Sequence, residues 1–339
     1  MGLRVLFLVR SDLKKNPAGD TVQILKTGEA LTRLGIEVKK TSDPHQDYSL
    51  YDLVHIFNLC RVEDNQAFLP YIPSSRPLVL SPIYWNMEKY LGQEKPELLS
   101  WWEKSNAGRR QLLEAADLLL PNARGELKLL AEDFGPQLKD KRTVIVYNAA
   151  DAIFQQAEPV EFITRYGQRD FILSVGRICK RKNQLSLIRA LSNSSRPLII
   201  IGHVNEPLYY RQCQAEASPS TIFIPHLPPE ELAAAYAAAR VHVLASWFDT
   251  PGLVSLEAAL AGCRIVTSCY GTAREYFGTS AHYCRPDSIH SINRAVIKAL
   301  KAPADRQLAL KVSGKYSWSV VAAETLKAYR WLLDEDLQE

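Results

Sequence analysis

Two clusters in the second half of the chain have residue types and spacing that could do chemistry. The first is SVGRICKRKNQ (174–184), which follows an apolar run and opens an amphipathic segment. Arg177 and Lys182 supply fixed positive charge, Gly176 lets a ligand approach the backbone, and a helix N-terminus would add N–H donors. That set suits a diphosphate. A solvated basic turn before a surface helix has the same composition, and Lys180 and Arg181 fit that solvent-facing role. The second cluster is ASWFDTPGLVSLEAALAGCRIV (245–266), in which Asp249 and Glu257 bracket the start of a Leu- and Ala-rich helix. Two carboxylates so placed can accept hydrogen bonds from sugar and ribose hydroxyls. Glu257 stands in the otherwise apolar LVSLEAALAG, where a buried charge needs a partner. An exposed helix glutamate and an aspartate cap fit the same spacing.

The elements that must hold these clusters alternate in type. RVLFLV (4–9), EVKK, DLVHIF (52–57), PLVLSP (77–82), DLLLPN (117–122) and TVIVYN (143–148) read as strands. Between them lie helical patterns over TVQILKTGEALTRLG, near 98–116 and near 124–134, with Gly35 as the stop of the first. Residues 152–168 lack a period and read as a linker. The order then restarts with FILSVG (171–176), a helix near 183–192, PLIIIG (197–202), TIFIPH (221–226), a helix from Pro229 to Arg240, VHVLAS (241–246), a helix from Val254 to Ala261, and RIVTS (264–268). Repeated β–α order predicts parallel sheets covered by helices on both faces. The expected architecture is α/β, with two tandem Rossmann-like doubly wound domains facing a cleft.

Composition agrees with this and excludes other classes. A chain of 339 residues exceeds the size of a single growing core. Hydrophobic residues at 47% and charged residues at 23% describe a folded globular protein. The net charge of +4 is spread without a basic tail or strong asymmetry between halves, which argues against nucleic acid. No apolar run is long enough to span a bilayer, and MGLRVLFLVRSD reads as a first strand rather than a leader. Six scattered cysteines without a CxxC pair point to free thiols in a reducing compartment, the cytoplasm. No DxD cluster suits a divalent ion beside a diphosphate, and no GxGxxG follows a strand.

Taken together, the two clusters resemble the GT-B-fold retaining glycosyltransferases of family 4. GRICKRK (Gly176 to Lys182) is similar to the family's Gly-Arg-x4-Lys element, and DTPGLVSLEA (Asp249 to Glu257) to its acidic-x7-Glu element. YDLVHIFN (51–58), VIVYNAAD (144–151), FIPHLPPEELAAAYAAARVHVLAS (223–246) and YSWSVVAAETLKAY (316–329) also look like family segments, in the family's order. The resemblance implies an N-terminal acceptor domain (1–152), a donor domain (153–317) and a closing helix (318–339) that crosses back onto the first domain. It implies that Arg177 and Lys182 neutralise a donor diphosphate, with Asp249 touching hydroxyls of the donor sugar as the third catalytic residue. Glu257 would hold the ribose, and Gly252, Leu253 and Val254 would form the helix entry beside the donor. The stretch Ile224–Leu227, with Pro225 and His226, would cup the nucleobase, and His203 would face the donor. Gly19 would lie near the donor phosphates and the acceptor.

The implied reaction moves a sugar from a nucleoside diphosphate to an acceptor hydroxyl with retention, with no metal and no further cofactor. The acceptor would be a sugar, a lipid-linked sugar or a small molecule, and peripheral contact with the inner face of a membrane is permitted. Two alternatives share the architecture: a nucleotide-sugar epimerase and a non-catalytic sugar-binding protein.

The sequence also departs from the family pattern. Asp249 replaces the more usual Glu, and Phe248 precedes it instead of following the proline. In the turn after PLVLSP, where many members carry a His, this chain has Tyr84, Trp85 and Asn86. Tyr84 and Trp85 could stack on a sugar or belong to the core. His55 reads as a structural histidine, Glu275 as a helix cap, and Asp20 as a cap or an acceptor-side base.

Overall fold

The computed structural model describes residues 2–335, which divide into two units. One unit comprises the residues up to Asn148 together with the helix Trp318–Glu335, and the other runs from Ala149 to Ser317.

The first unit is built on β1 (Arg4–Leu8), β2 (Glu37–Thr41), β3 (Leu53–Phe57), β4 (Leu78–Ser81) and β5 (Leu118–Leu119). All pairs are parallel, in the order β2-β1-β3-β4-β5. Strands covered on both faces must be apolar throughout, and every residue of LVHIF in β3 and LVLS in β4 is buried. The edge strand β2, EVKKT, is polar and largely exposed, which protects the open edge from foreign pairing. The helices Gly19–Arg33 and Trp318–Glu335 pack against each other within this unit.

The second unit contains β6 (Phe171–Val175), β7 (Leu198–Ile201), β8 (Thr221–Ile224), β9 (Ala239–Leu244), β10 (Arg264–Ser268) and β11 (Ala281–Cys284). These are again all parallel, in the order β11-β10-β9-β6-β7-β8. FILSV and LIII are buried at every position, as two-sided coverage demands.

Several sequence expectations need correction. The helix expected near 98–116 is two helices, Leu99–Lys104 and Asn106–Ala115, which meet at Ser105, whose hydroxyl bonds back to the Trp101 carbonyl at 2.6 Å beside its own N–H at 3.0 Å. The supposed linker 152–168 holds the turn Ala152–Gln156 and the helix Val160–Tyr166, each anchored by a single buried phenylalanine, Phe154 and Phe162. One anchor per element is too sparse to show as a period. TVIVYN runs beside β5 and the residues after it, with Val144 N–H bonded to the Leu119 carbonyl and Val146 N–H to the Pro121 carbonyl, and forms no strand of its own. The helix beginning at Pro229 stops at Ala238, since Ala239 already pairs with Phe171.

His55 sits inside β3 at 1% exposure, with Nδ1 2.6 Å from the Tyr329 hydroxyl and Nε2 2.9 Å from the Ser81 hydroxyl. The structural reading of this histidine holds. Burial pushes its ring down from 6.5 to about 3. Between those values the unfolded chain takes up a proton that the folded chain refuses, so stability is lost as pH falls through that window. His55→Gln, which can still bond both hydroxyls but cannot titrate, should flatten the fall of Tm from pH 6.5 to about 4. Thermal unfolding across pH measures this, and an unchanged slope refutes it.

Candidate functional site

Because all six strands of the second sheet run the same way, their carboxyl ends share one edge. The order reverses between β6 and β9: β7 and β8 lie to one side of β6, whereas β9 and β10 lie to the other. In open α/β sheets, ligands gather outside the strand ends at such a reversal. The turn after β6 carries Gly176, Arg177 and Lys182, and the loop after β9 carries Asp249. Topology thus brings two motifs that are remote in sequence to one place.

Their contact is direct. The Lys182 ammonium donates to both oxygens of Asp249 at 2.9 Å, with side chains only 11% and 17% exposed. Asp249 also accepts from the Ser246 hydroxyl at 2.5 Å and from the Arg181 guanidinium at 3.3 Å. Burial pushes the Asp249 carboxyl up, but Lys182 and Arg181, with the Ser246 hydroxyl, outweigh it and hold the group at about 2. Burial likewise pulls the Lys182 ammonium below its ordinary value, with Asp249 opposing. The turn is held by Asn183, in the left-handed region at φ 62°, whose amide donates to the carbonyls of Ala245 at 3.0 Å and Pro286 at 2.8 Å. Arg177 is half-buried and its carbonyl accepts from Gln184. A short 3-10 turn, Lys180–Lys182, intervenes before the helix Gln184–Ala190, and the Leu185 N–H is taken by the Tyr209 hydroxyl at 2.8 Å. The N-terminal donors of that helix are therefore partly used by the protein itself.

Glu257 has a different environment. It lies in the helix Leu253–Leu260, half-buried, and accepts from the Tyr236 hydroxyl at 3.0 Å. Burial raises its carboxyl to about 7, the Tyr236 bond opposing and the Asp151 charge adding to the rise. The helix entry needs Gly252: its φ is 89°, and a Cβ there would stand 2.4 Å from a Leu244 methyl. Leu253 and Val254 begin the helix and are half-buried.

Beyond β6 the edge continues over the ends of β7 and β8. Gly202 comes so close to the β6 end that a Cβ would lie 2.1 Å from the Gly176 carbonyl oxygen. His203 and His226 stack with ring centroids 4.6 Å apart. Together with Pro225 they border a cavity of ≈ 220 Å³ walled by Ile178, Tyr210 and Phe223. Burial, then the neighbouring His203, lowers the His226 ring. Leu227 is buried behind the loop.

The residues expected on the acceptor side all lie in the first unit. Its own reversal point falls between β1 and β3. There Asp20, buried, accepts from Arg10 Nε at 3.2 Å and from the Asn58 amide at 2.9 Å. Ala18, not Asp20, occupies the cap position of the helix Gly19–Arg33, so the cap reading gives way to an ion pair. Gly19 is exposed with open space around it. Tyr84 cannot stack on a sugar: its ring is 1% exposed, packs against Trp102 and Phe134, and its hydroxyl donates to Asp133 at 2.7 Å. Trp85, next to it, is half-buried.

Residues 156–314 match the family model described as glycosyl transferases group 1. The second unit is a group 1 glycosyl transferase domain. Among curated relatives, the chain is 26% identical over 175 residues to the O-antigen chain mannosyltransferase B of Escherichia coli, covering 48% of this chain and 46% of that protein. The chain spans about half the length of the first curated relatives it matches. The fold is similar to that of sucrose-phosphate synthase from Thermosynechococcus elongatus, with TM-score 0.84 and 16% identity over 99% of this chain and 100% of that one. It is also similar to Anabaena HepE, solved in complex with UDP and glucose, with TM-score 0.70 and 16% identity over 99% and 100%. The architecture is that of the GT-B glycosyltransferases.

In this transferase domain, sequence reasoning missed three residues that shape the site. Arg181, assigned above to solvent, pairs with Asp249, donates to the Phe248 carbonyl at 2.8 Å and lies 4.9 Å from the Phe248 ring centre. The displaced Phe248 was the available signal. Tyr236, a lone aromatic in AAAYAAA, is fully buried and holds Glu257, and Ser246 orients Asp249. Among the described residues no group of three or more His, Cys, Asp or Glu could hold a metal ion, and no helix is long and apolar enough to cross a membrane.

Removing one partner of the ion pair should destabilise the transferase domain. Lys182→Met leaves a largely buried carboxylate with weaker partners and should cost about 3 kcal/mol. Adding Asp249→Leu to it should cost less than the sum of the two single changes. Urea unfolding measures both; additive single effects refute the coupling.

Proposed function

We propose that the chain transfers a sugar from a nucleoside-diphosphate donor to an acceptor hydroxyl with retention of anomeric configuration. The observation that carries this reading is the Lys182–Asp249 contact at the reversal point of the sheet, with Arg177 on the same turn. A diphosphate laid along Gly176–Arg177–Lys182 places the sugar toward Asp249. In the other direction the nucleobase points toward the cavity bordered by His203, Pro225 and His226. Glu257 holds the ribose hydroxyls. HepE, of the same fold, was solved with UDP and glucose, which supports a nucleotide-sugar reading of this edge.

The chemistry follows from charge. As the bond between the anomeric carbon and the diphosphate oxygen breaks, negative charge grows on the diphosphate. Arg177 and Lys182 stabilise that charge where a divalent ion would otherwise do so. The acceptor oxygen bonds to the anomeric carbon on the face the diphosphate leaves, and its proton passes to a diphosphate oxygen. No protein base is required in this scheme. Asp249, ionised down to about pH 2, accepts from donor-sugar hydroxyls without changing charge. Its carboxylate stands one methylene nearer the backbone than a glutamate, which makes this position the selector of the sugar. Acceptors in this reading are sugars, lipid-linked sugars or small molecules, with Gly19, Asp20 and Trp85 on the acceptor side.

Two measurements test the proposal. A panel of UDP, GDP and ADP should raise the Tm for at least one member. Arg177→Ala and Lys182→Ala should each weaken that response more than the surface change Arg189→Ala; no response to any nucleotide sinks the reading. Glu257 supplies the second test. Its carboxylate form accepts from ribose, so nucleotide affinity should rise with pH through about 7, and Glu257→Gln should abolish that rise. Calorimetric titration across pH reads this directly.

A further inference from the structure

One buried ionisable group of the transferase domain is used by no part of that scheme. His242 lies in the middle strand β9, between Leu173 of β6 and Ile265 of β10, and is 0% exposed. Its neighbours Val241 and Val243 join the apolar core on one face of the sheet. Alternation therefore sends the imidazole to the other face. There the Tyr236 ring meets it edge-on, with centroids 5.8 Å apart, and the Lys182 charge acts on it.

Neither ring nitrogen of His242 has a hydrogen-bond partner among the described protein residues. An unmatched buried polar group costs as much as a lost hydrogen bond or more, and a hydrophobic residue at this position would carry no such cost. Two further unmatched valences lie near Asp249. The Ser255 hydroxyl is fully buried without a protein partner. It adjoins the acidic residue, since a Cβ on Gly252 would be 3.6 Å from both Ser255 Oγ and Asp249 Cβ. The Lys182 ammonium has three N–H donors, and Asp249 accounts for two. One imidazole donor, one imidazole acceptor, a hydroxyl and an ammonium N–H are a set that ordered water can satisfy, since a buried water makes two to four bonds.

We propose that His242 is a positioning residue of the donor site, its neutral imidazole joining Lys182 on one side to Tyr236, and so to Glu257, on the other through buried water. The inference rests on the reading of this edge as a nucleotide-sugar site, and it adds a coupling. A diphosphate that draws on Lys182 changes the hydrogen bonding delivered to Glu257, so phosphate and ribose contacts strengthen together. Burial, then the Lys182 charge, holds the His242 ring at about 3, so it stays neutral while Glu257 titrates. The other charged or titratable groups around these side chains are Arg181, Asp249, Asp151 and Cys263.

The test uses the full chain with His242→Phe, close in shape but apolar, and His242→Gln, which restores a donor and an acceptor; His242→Leu substitutes if the Phe variant does not fold. The first readout needs no nucleotide. Carboxyl 13C NMR should place the Glu257 midpoint near 7 in the parent, shifted by about half a pH unit or more in the Phe variant and returned in the Gln variant. An unmoved midpoint overturns the proposal whether or not any nucleotide binds. The second readout is calorimetric binding of UDP, or of whichever nucleoside diphosphate binds the parent. The Phe variant should lose about three- to tenfold in affinity, the worth of one hydrogen bond, with Tm unchanged or raised, and Gln should recover most of it. Equal affinities in parent and Phe variant reduce His242 to a packing residue. If the parent binds no nucleoside diphosphate, the functional reading fails separately, and the NMR result still decides the link between His242 and Glu257.

Discussion

The ion pair between Lys182 and Asp249 is the constraint around which the transferase domain is arranged. Each side chain is largely withdrawn from water, and neither charge would be tolerable there alone. The pair bridges the loops that leave β6 and β9, the two strands at which the sheet reverses its order. Asn183 ties the same loops through the Ala245 carbonyl, and the Arg181 carbonyl accepts the Trp247 N–H at 2.9 Å. Chain entropy opposes holding two long loops in register, and this cluster of charge-assisted and backbone hydrogen bonds offsets it.

The same low-dielectric setting separates the two carboxylates. Asp249 faces two cations and is held at about 2, whereas Glu257 faces a phenol and a distant aspartate and rises to about 7. One acid is thereby a permanent charge, and the other exchanges its proton near neutrality. The division is set by neighbours rather than by residue type.

Backbone proximity is the third contribution. At the carboxyl edge, Gly202 lets the end of β7 approach the Gly176 carbonyl more closely than any side chain would permit, and Gly252 does the same against Leu244 at the start of the helix that carries Glu257. The apolar strands behind them are rigid because they are buried on both faces, so the edge they support is preorganised.

Much of this was legible in the sequence. Apolar runs separated by amphipathic segments determined parallel α/β units, since strands covered on both sides must read as continuous hydrophobic stretches. The motifs around Gly176–Arg177–Lys182 and Asp249–Glu257 were visible as unusual charge placed at strand-to-helix turns. His55 could be read as structural because apolar residues surround it in a strand. What the sequence could not decide was partnership. Nothing in the local spacing distinguishes Arg181, which pairs with Asp249, from Lys180 beside it, or shows that Tyr236 reaches Glu257 from another helix. Tyr84 looked available for a sugar until packing against Trp102 and Phe134 withdrew it. Asp20 looked like a cap until Arg10 claimed it. Periodicity reports which residues are buried. Electrostatic roles depend on which buried groups meet across the sheet, and only the tertiary fold settles that.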